Sequence, residues 1–200
     1  MLGQAVADTT TFPGEIMAEP RNRYSTVSLL FHWGMALAVL AQVLLITFAE
    51  ANEGQPAARE LIGTHKALGL AILVLTLARI GWRFANPAIA LPAGTPGWQR
   101  IAVRATHIGF YVLLIGLPLG GWAASSAAGR DISFFGLFNW PLLPLPRDRE
   151  LAGQFIDAHG AGVKVLYVLL ALHVLGALKH HFIDRDNVLH RMIPLIPRRP

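Results

Sequence analysis

Apolar residues fall along this chain in four long blocks, separated by short stretches rich in polar, glycine and proline residues. A bilayer hydrocarbon core about 30 Å thick is crossed by roughly 20 apolar residues in helical form. Four segments reach that length: residues 27–49 (VSLLFHWGMALAVLAQVLLITFA), 61–82 (LIGTHKALGLAILVLTLARIGW), about 101–124 (with THIGFYVLLIGLPLGGWAA) and about 156–182. The pattern predicts an all-α fold, an integral membrane four-helix bundle. Pro118 lies inside the third segment, where a membrane helix tolerates it with a kink. The first twenty residues, MLGQAVADTTTFPGEIMAEP, hold neither the apolar core nor the basic start of a signal peptide. Residues 1–20 are therefore expected to form a disordered extension, with the bundle spanning 21–197 and residues 27–49 an uncleaved first span.

Composition agrees with this pattern. Hydrophobic residues make up 54% and charged residues 14%, against about 25% charged in soluble domains. Mean hydropathy is +0.46. The absence of cysteine excludes disulfides, thiolate metal sites, c-type haem attachment and cysteine nucleophiles. The net charge of +5 does not indicate nucleic acid, because the basic residues sit at the ends of apolar blocks. Arg21 and Arg23 precede the first block. Arg79, Arg83, Arg100 and Arg104 surround the second connection without an acid among them. Lys179, Arg185, Arg191, Arg198 and Arg199 follow the fourth, against Asp184 and Asp186. The other two connections are balanced by Glu50, Glu53, Glu60, Asp131, Asp148, Glu150 and Asp157. The positive-inside rule then places both termini and the second connection in the cytoplasm. The third connection, SSAAGRDISFFGLFNWPLLPLPRDRELAGQF, reads as a short amphipathic piece at the outer interface followed by an extended turn. It either packs over the bundle end or takes a direct part in docking or substrate binding.

Histidine is the chemistry that stands out. Five of the eight fall within or at the ends of the blocks: His32, His65, His107, His159 and His173. Ionisable groups inside a membrane are costly and face the bundle interior. At 1.5 Å per residue, His32 lies roughly 8 Å below the cytoplasmic face and His65 near the outer face. The stretch HGAGVKVLYVLLALH carries His159 near the outer face and His173 about 21 Å deeper. Fourteen steps of 100° fall about 40° short of four turns, so these two imidazoles project from nearly one face. His159 is level with His65, and His173 with His32. Facing imidazoles in a dry bundle suit the two axial positions of a haem iron. Zinc would want four ligands, and no acid lies at these depths. His107 is also level with His32, so depth alone leaves two partners for His173. The glycines of the spans, among them Gly34, Gly63, Gly69, Gly109, Gly116, Gly160 and Gly162, would let a macrocycle approach the backbone or would serve ordinary helix packing. Lys66 and Lys164 flank the outer histidines and either supply local positive charge or snorkel. His180, His181 and His190 read as interfacial and solvated, with one of them able to line a quinone site.

The segments RYSTVSLLFHW, GTHKALGLAILVLTLARIGWR and HGAGVKVLYVLLALHVLGALKHHFIDRDNVLHRMIP resemble the prokaryotic cytochrome b561 family over nearly the whole chain. The resemblance implies a dihaem b-type membrane cytochrome of the bacterial inner membrane. It implies two haem b groups, held by His32 with His173 on the cytoplasmic side and His65 with His159 on the periplasmic side. It places His107 off the iron, near the cytoplasmic haem and within reach of a propionate, and marks His180 as a quinone-side residue. It further implies electron exchange between a periplasmic donor, such as superoxide, and ubiquinone. An alternative is a membrane-anchored electron-transfer subunit serving a separate dehydrogenase partner.

Overall fold

The computed structural model describes residues 23–92, 94–193 and 195–197; the expected extension at 1–20, and Arg21, Arg198 and Arg199, lie outside them. The four apolar blocks form four helices: α1 (Thr26–Ala51), α2 (Pro56–Ala85), α3 (Gly97–Ala127) and α4 (Arg149–Lys179). All four are long and apolar enough to cross a membrane. Each outruns its apolar block because polar residues start or extend the ends. The Ser25 side chain accepts from the Ser28 N–H at 3.3 Å at the start of α1. Pro56 opens α2, where its missing N–H costs nothing. Asp148 caps α4 by accepting from the N–H groups of Glu150 and Leu151 at 2.8 and 3.2 Å. α3 runs through Pro118 as one helix.

α1 packs along α2, α2 against α3, and α3 along α4, whereas α4 shares no extended interface with α1 or α2. α2 is the central element and buries Ala67, Leu70, Ile72, Leu73 and Thr76. The Thr76 hydroxyl has no exposure and donates to the Ile72 carbonyl one turn back, at 2.7 Å, so its burial leaves no polar group unpaired. α3 and α4 approach closely at two glycines. A Cβ on Gly109 would come within 2.7 Å of Leu169, and one on Gly162 within 2.8 Å of Leu117. Gly34, Gly63, Gly116 and Gly160 have open space beside them, so the glycines do not share one role.

The amphipathic piece of the third connection is a β-hairpin. β1 (Ile132–Phe134) pairs antiparallel with β2 (Phe138–Trp140), Phe134 opposite Phe138. Alternation of Ile, Phe and Trp with Ser and Asn suits a pleated, half-buried ribbon better than a helix. Gly136 takes a left-handed φ of 76° at the turn, and Phe135 does so at 51°. Ile132 is buried, and Trp140 packs edge-on against Trp122 of α3 with ring centres 5.9 Å apart. The Trp122 indole donates to the Pro141 carbonyl at 2.8 Å, and the Leu143 N–H to the Ser126 hydroxyl at 3.0 Å. The connection thus packs over one end of the bundle, the hairpin end.

The opposite, termini end is laced by the C-terminal tail. The Trp33 indole donates to the Met192 carbonyl at 2.9 Å, and Arg191 to the Ala90 carbonyl at 2.7 Å. After α4 a single π-type turn, His180–Asp184, closes on Arg185 in the left-handed region. His180 and His190 are buried here rather than solvated. The tail folds back over them, and each ring finds an acceptor: Asp186 for His180 and the Ile196 carbonyl for His190.

Candidate functional site

The helix order brings the histidines together in two groups, one towards each end. Towards the hairpin end, His65 of α2 and His159 of α4 face each other with ring centres 6.2 Å apart. The His159 Nδ1 lies 3.0 Å from the Leu117 carbonyl. A carbonyl can only accept, so Nδ1 carries the proton and Nε2 keeps its lone pair for a ligand. The His65 Nδ1 is buried without a hydrogen-bond partner. Both rings line a cavity that is open in part to its surroundings and is walled among others by Gln42, Gly69, Leu117, Gly121 and Ile132.

Towards the termini end, His173 of α4 meets two imidazoles. His32 of α1 lies 6.1 Å away between ring centres, and His107 of α3 lies 5.7 Å away. His107 turns its Nδ1 to the Val103 carbonyl of its own helix at 2.8 Å. Phe110 stands edge-on to His173 at 5.4 Å. Arg79 of α2 is held against the Met35 sulfur at 3.8 Å and stands close enough for its charge to act on His32, His107 and His173. Arg79 is thus more than a topological marker. Its position inside an apolar block, LTLARIGW, was the signal that it faces the interior.

Both α4 histidines therefore reach across to helices with which α4 has no extended packing. Two imidazoles that would hold one iron between them would have ring centres about 6.2 Å apart, from about 2 Å per metal–nitrogen bond and about 1.1 Å from nitrogen to ring centre. The spacings of 6.1 and 6.2 Å fit this. His107–His173, at 5.7 Å, fits less closely. The apolar lining of the cavity at His65, which includes no carboxylate, also fits a macrocycle better than a small ion. At the far end of α4, His180 Nδ1 is 2.6 Å from Asp186 and 3.3 Å from Asp184. Lys179 clamps Asp184 at 2.6 Å.

Residues 23–195 match the family described as prokaryotic cytochrome b561. The chain belongs to that family. It is accordingly a multi-pass membrane cytochrome of the bacterial inner membrane, built to bind haem b and transfer electrons. Among its relatives, the cytochrome b561 homolog 2 of Escherichia coli K12 is 34% identical, over 86% of this chain and 91% of that protein. The cytochrome b561 homolog 1 of the same organism is 32% identical, over 86% and 98%. The probable superoxide oxidase CybB of Yersinia pestis is 31% identical, over 86% and 96%.

Proposed function

We propose that this cytochrome holds two b haems in series and carries electrons from a periplasmic one-electron donor, superoxide, to ubiquinone. The observation that supports this most directly is the pair of imidazole couples presented by one helix at two heights. In this reading His32 and His173 would hold the haem at the termini end, and His65 and His159 the haem at the hairpin end. Each haem supplies a site that takes up and releases one electron. The protein's part is to fix the ligands, exclude water and steer charge. Leu117 holds the proton of His159 on Nδ1. Arg79 sits where a propionate or the iron's positive charge would feel its field, and His107 stands at the same level as a propionate neighbour.

The unopposed arginines around the α2–α3 connection, Arg79, Arg83, Arg100 and Arg104, support a cytoplasmic termini end. The hairpin end then faces the periplasm, where Lys66 and Arg130 offer positive charge to an anion. The overall change balances as two superoxide and one ubiquinone, with two protons, giving two dioxygen and one ubiquinol. His180 follows His173 by seven residues, two turns less about 20°, so it lies on the same face about 10 Å nearer the termini end. Asp186 takes its Nδ1, which leaves Nε2 to hydrogen-bond a quinone carbonyl when the ring is protonated. A second reading, docking of a dehydrogenase partner, is favoured by the exposed Phe135, Leu137 and Phe138 at the hairpin tip.

Stopped-flow reduction of the purified chain by superoxide, with and without ubiquinone, tests the assignment. Rapid reduction followed by quinone-dependent reoxidation is expected. An isolated chain that binds haem yet stays inert until a partner is added would replace the first reading with the second.

A further inference from the structure

His65 and His159 differ in one respect that bears on how each imidazole is held. His159 has a backbone acceptor for its Nδ1. His65 has none at hydrogen-bonding geometry: its Nδ1 is buried without a partner, although the Gln42 backbone lies close enough to act on the ring. A ring that binds metal through Nε2 carries its proton on Nδ1, and a buried N–H without an acceptor is destabilising. Among the described residues, the buried side-chain atoms without a partner are Gln42 Oε1, His65 Nδ1, Trp140 Nε1 and His190 Nε2. Gln42 Oε1 is the amide oxygen in that set, and an amide oxygen can only accept.

Gln42 is already attached to the same residue. It sits on α1, facing α2, and its Nε2 donates to the His65 backbone carbonyl at 3.0 Å. Both side chains line the hairpin-end cavity. Its seat is shaped for it: a Cβ on Gly69, one helical turn beyond His65, would come within 3.1 Å of the Gln42 amide nitrogen. An amide buried in an apolar helix of a membrane bundle is costly unless it has a task, and half of this one's hydrogen-bonding capacity is unused.

We infer that Gln42 is the positioning residue of His65: its amide nitrogen anchors the His65 backbone, and its amide oxygen accepts the Nδ1 proton of the imidazole. The acceptor fixes the tautomer that frees Nε2, orients the ring and makes it a stronger electron donor to the iron. His159 obtains the same service from the backbone through Leu117. The inference rests on the assignment of His65 as an axial ligand, and its test separates the two.

The experiment compares the haem-loaded wild type with Gln42→Met and Gln42→Glu, reading haem per chain and the redox titration of each haem. Methionine keeps the length and apolar volume but accepts almost nothing, whereas glutamate keeps an acceptor oxygen in either protonation state. In Gln42→Met the hairpin-end haem is expected to become easier to reduce. Its reduced-to-oxidised ratio at a fixed applied potential should rise about fivefold, the equivalent of one ordinary hydrogen bond. Its retention on dilution should weaken by roughly 10-fold or more. In Gln42→Glu the ratio should stay at or below that of the wild type, and the termini-end haem should not change in either variant. Equal titrations of wild type and Gln42→Met overturn the inference. So does a rise in Gln42→Glu matching that in Gln42→Met, or loss of the hairpin-end haem in both, since packing alone would then account for the residue. Loss in Gln42→Met with retention in Gln42→Glu supports it. A wild type carrying no hairpin-end haem refutes the ligand assignment itself, before either variant is compared.

Discussion

The two ends of the bundle solve the placement of imidazoles differently. At the hairpin end, one histidine on α2 faces one on α4, and glycine, leucine and a glutamine amide complete the walls. At the termini end, three histidines and an arginine crowd together, and His173 has two neighbours at nearly equal spacing. The first arrangement leaves one pairing. The second leaves two, and ring spacing alone favours His32 over His107 only slightly. The Nδ1 bond of His107 to the Val103 carbonyl does not separate them, because it leaves Nε2 free just as the Leu117 bond does for His159. A lone pair of histidines is thus defined by depth and face, whereas a cluster needs the orientation of each ring as well.

This contrast can be broken at several points. The largest effect is expected from the α4 ligands. His159→Ala should leave about one haem per chain, retaining the termini-end haem, and His173→Ala should do the converse. Haem-to-protein ratios measure both, and a ratio still near two would remove the substituted residue from the ligand set. His32 against His107 sharpens the comparison at the crowded end. His32→Ala should lose the termini-end haem, while His107→Ala keeps both and shifts only that haem's redox titration. The opposite result would exchange their roles. A smaller effect, confined to the hairpin end, is expected on stability. Ile132→Ala should cost roughly 2–5 kcal/mol through the void it leaves, measured by denaturant titration in detergent, with the termini-end haem spectrum unchanged. Smallest is Asp148→Ala, which removes the α4 cap and should cost about 1 kcal/mol by the same titration; an unchanged midpoint would show that the cap is redundant under the hairpin.

Much of this architecture is legible in the residues themselves. Length and apolarity give the four helices, because lipid leaves a backbone few other options. The spacing of His159 and His173 on one helix gives the two heights. The hairpin was less accessible, since its aromatic run suits either an interfacial helix or a ribbon, and the choice falls to packing against Trp122. The burial of His180 and His190 escaped because it depends on a tail that returns through contacts of Trp33 with Met192 and Arg191 with Ala90, far apart in sequence. Gln42 and Arg79 carried a readable signal, a polar side chain within an apolar block, but which neighbour each meets is a matter of helix rotation that one sequence does not fix.

Because α4 contributes a ring to both ends, the two ends are geared together. Sliding this helix by one turn, about 5.4 Å, would carry both of its imidazoles out of register at once, whereas a shift of α1 or α2 would disturb a single level. Variation that adjusts one level independently is therefore confined to the first two helices, and the fourth behaves as a common shaft. One extra residue inserted midway between His159 and His173 would turn one ring about 100° away from the other, and no rotation of the whole helix could then satisfy both partners.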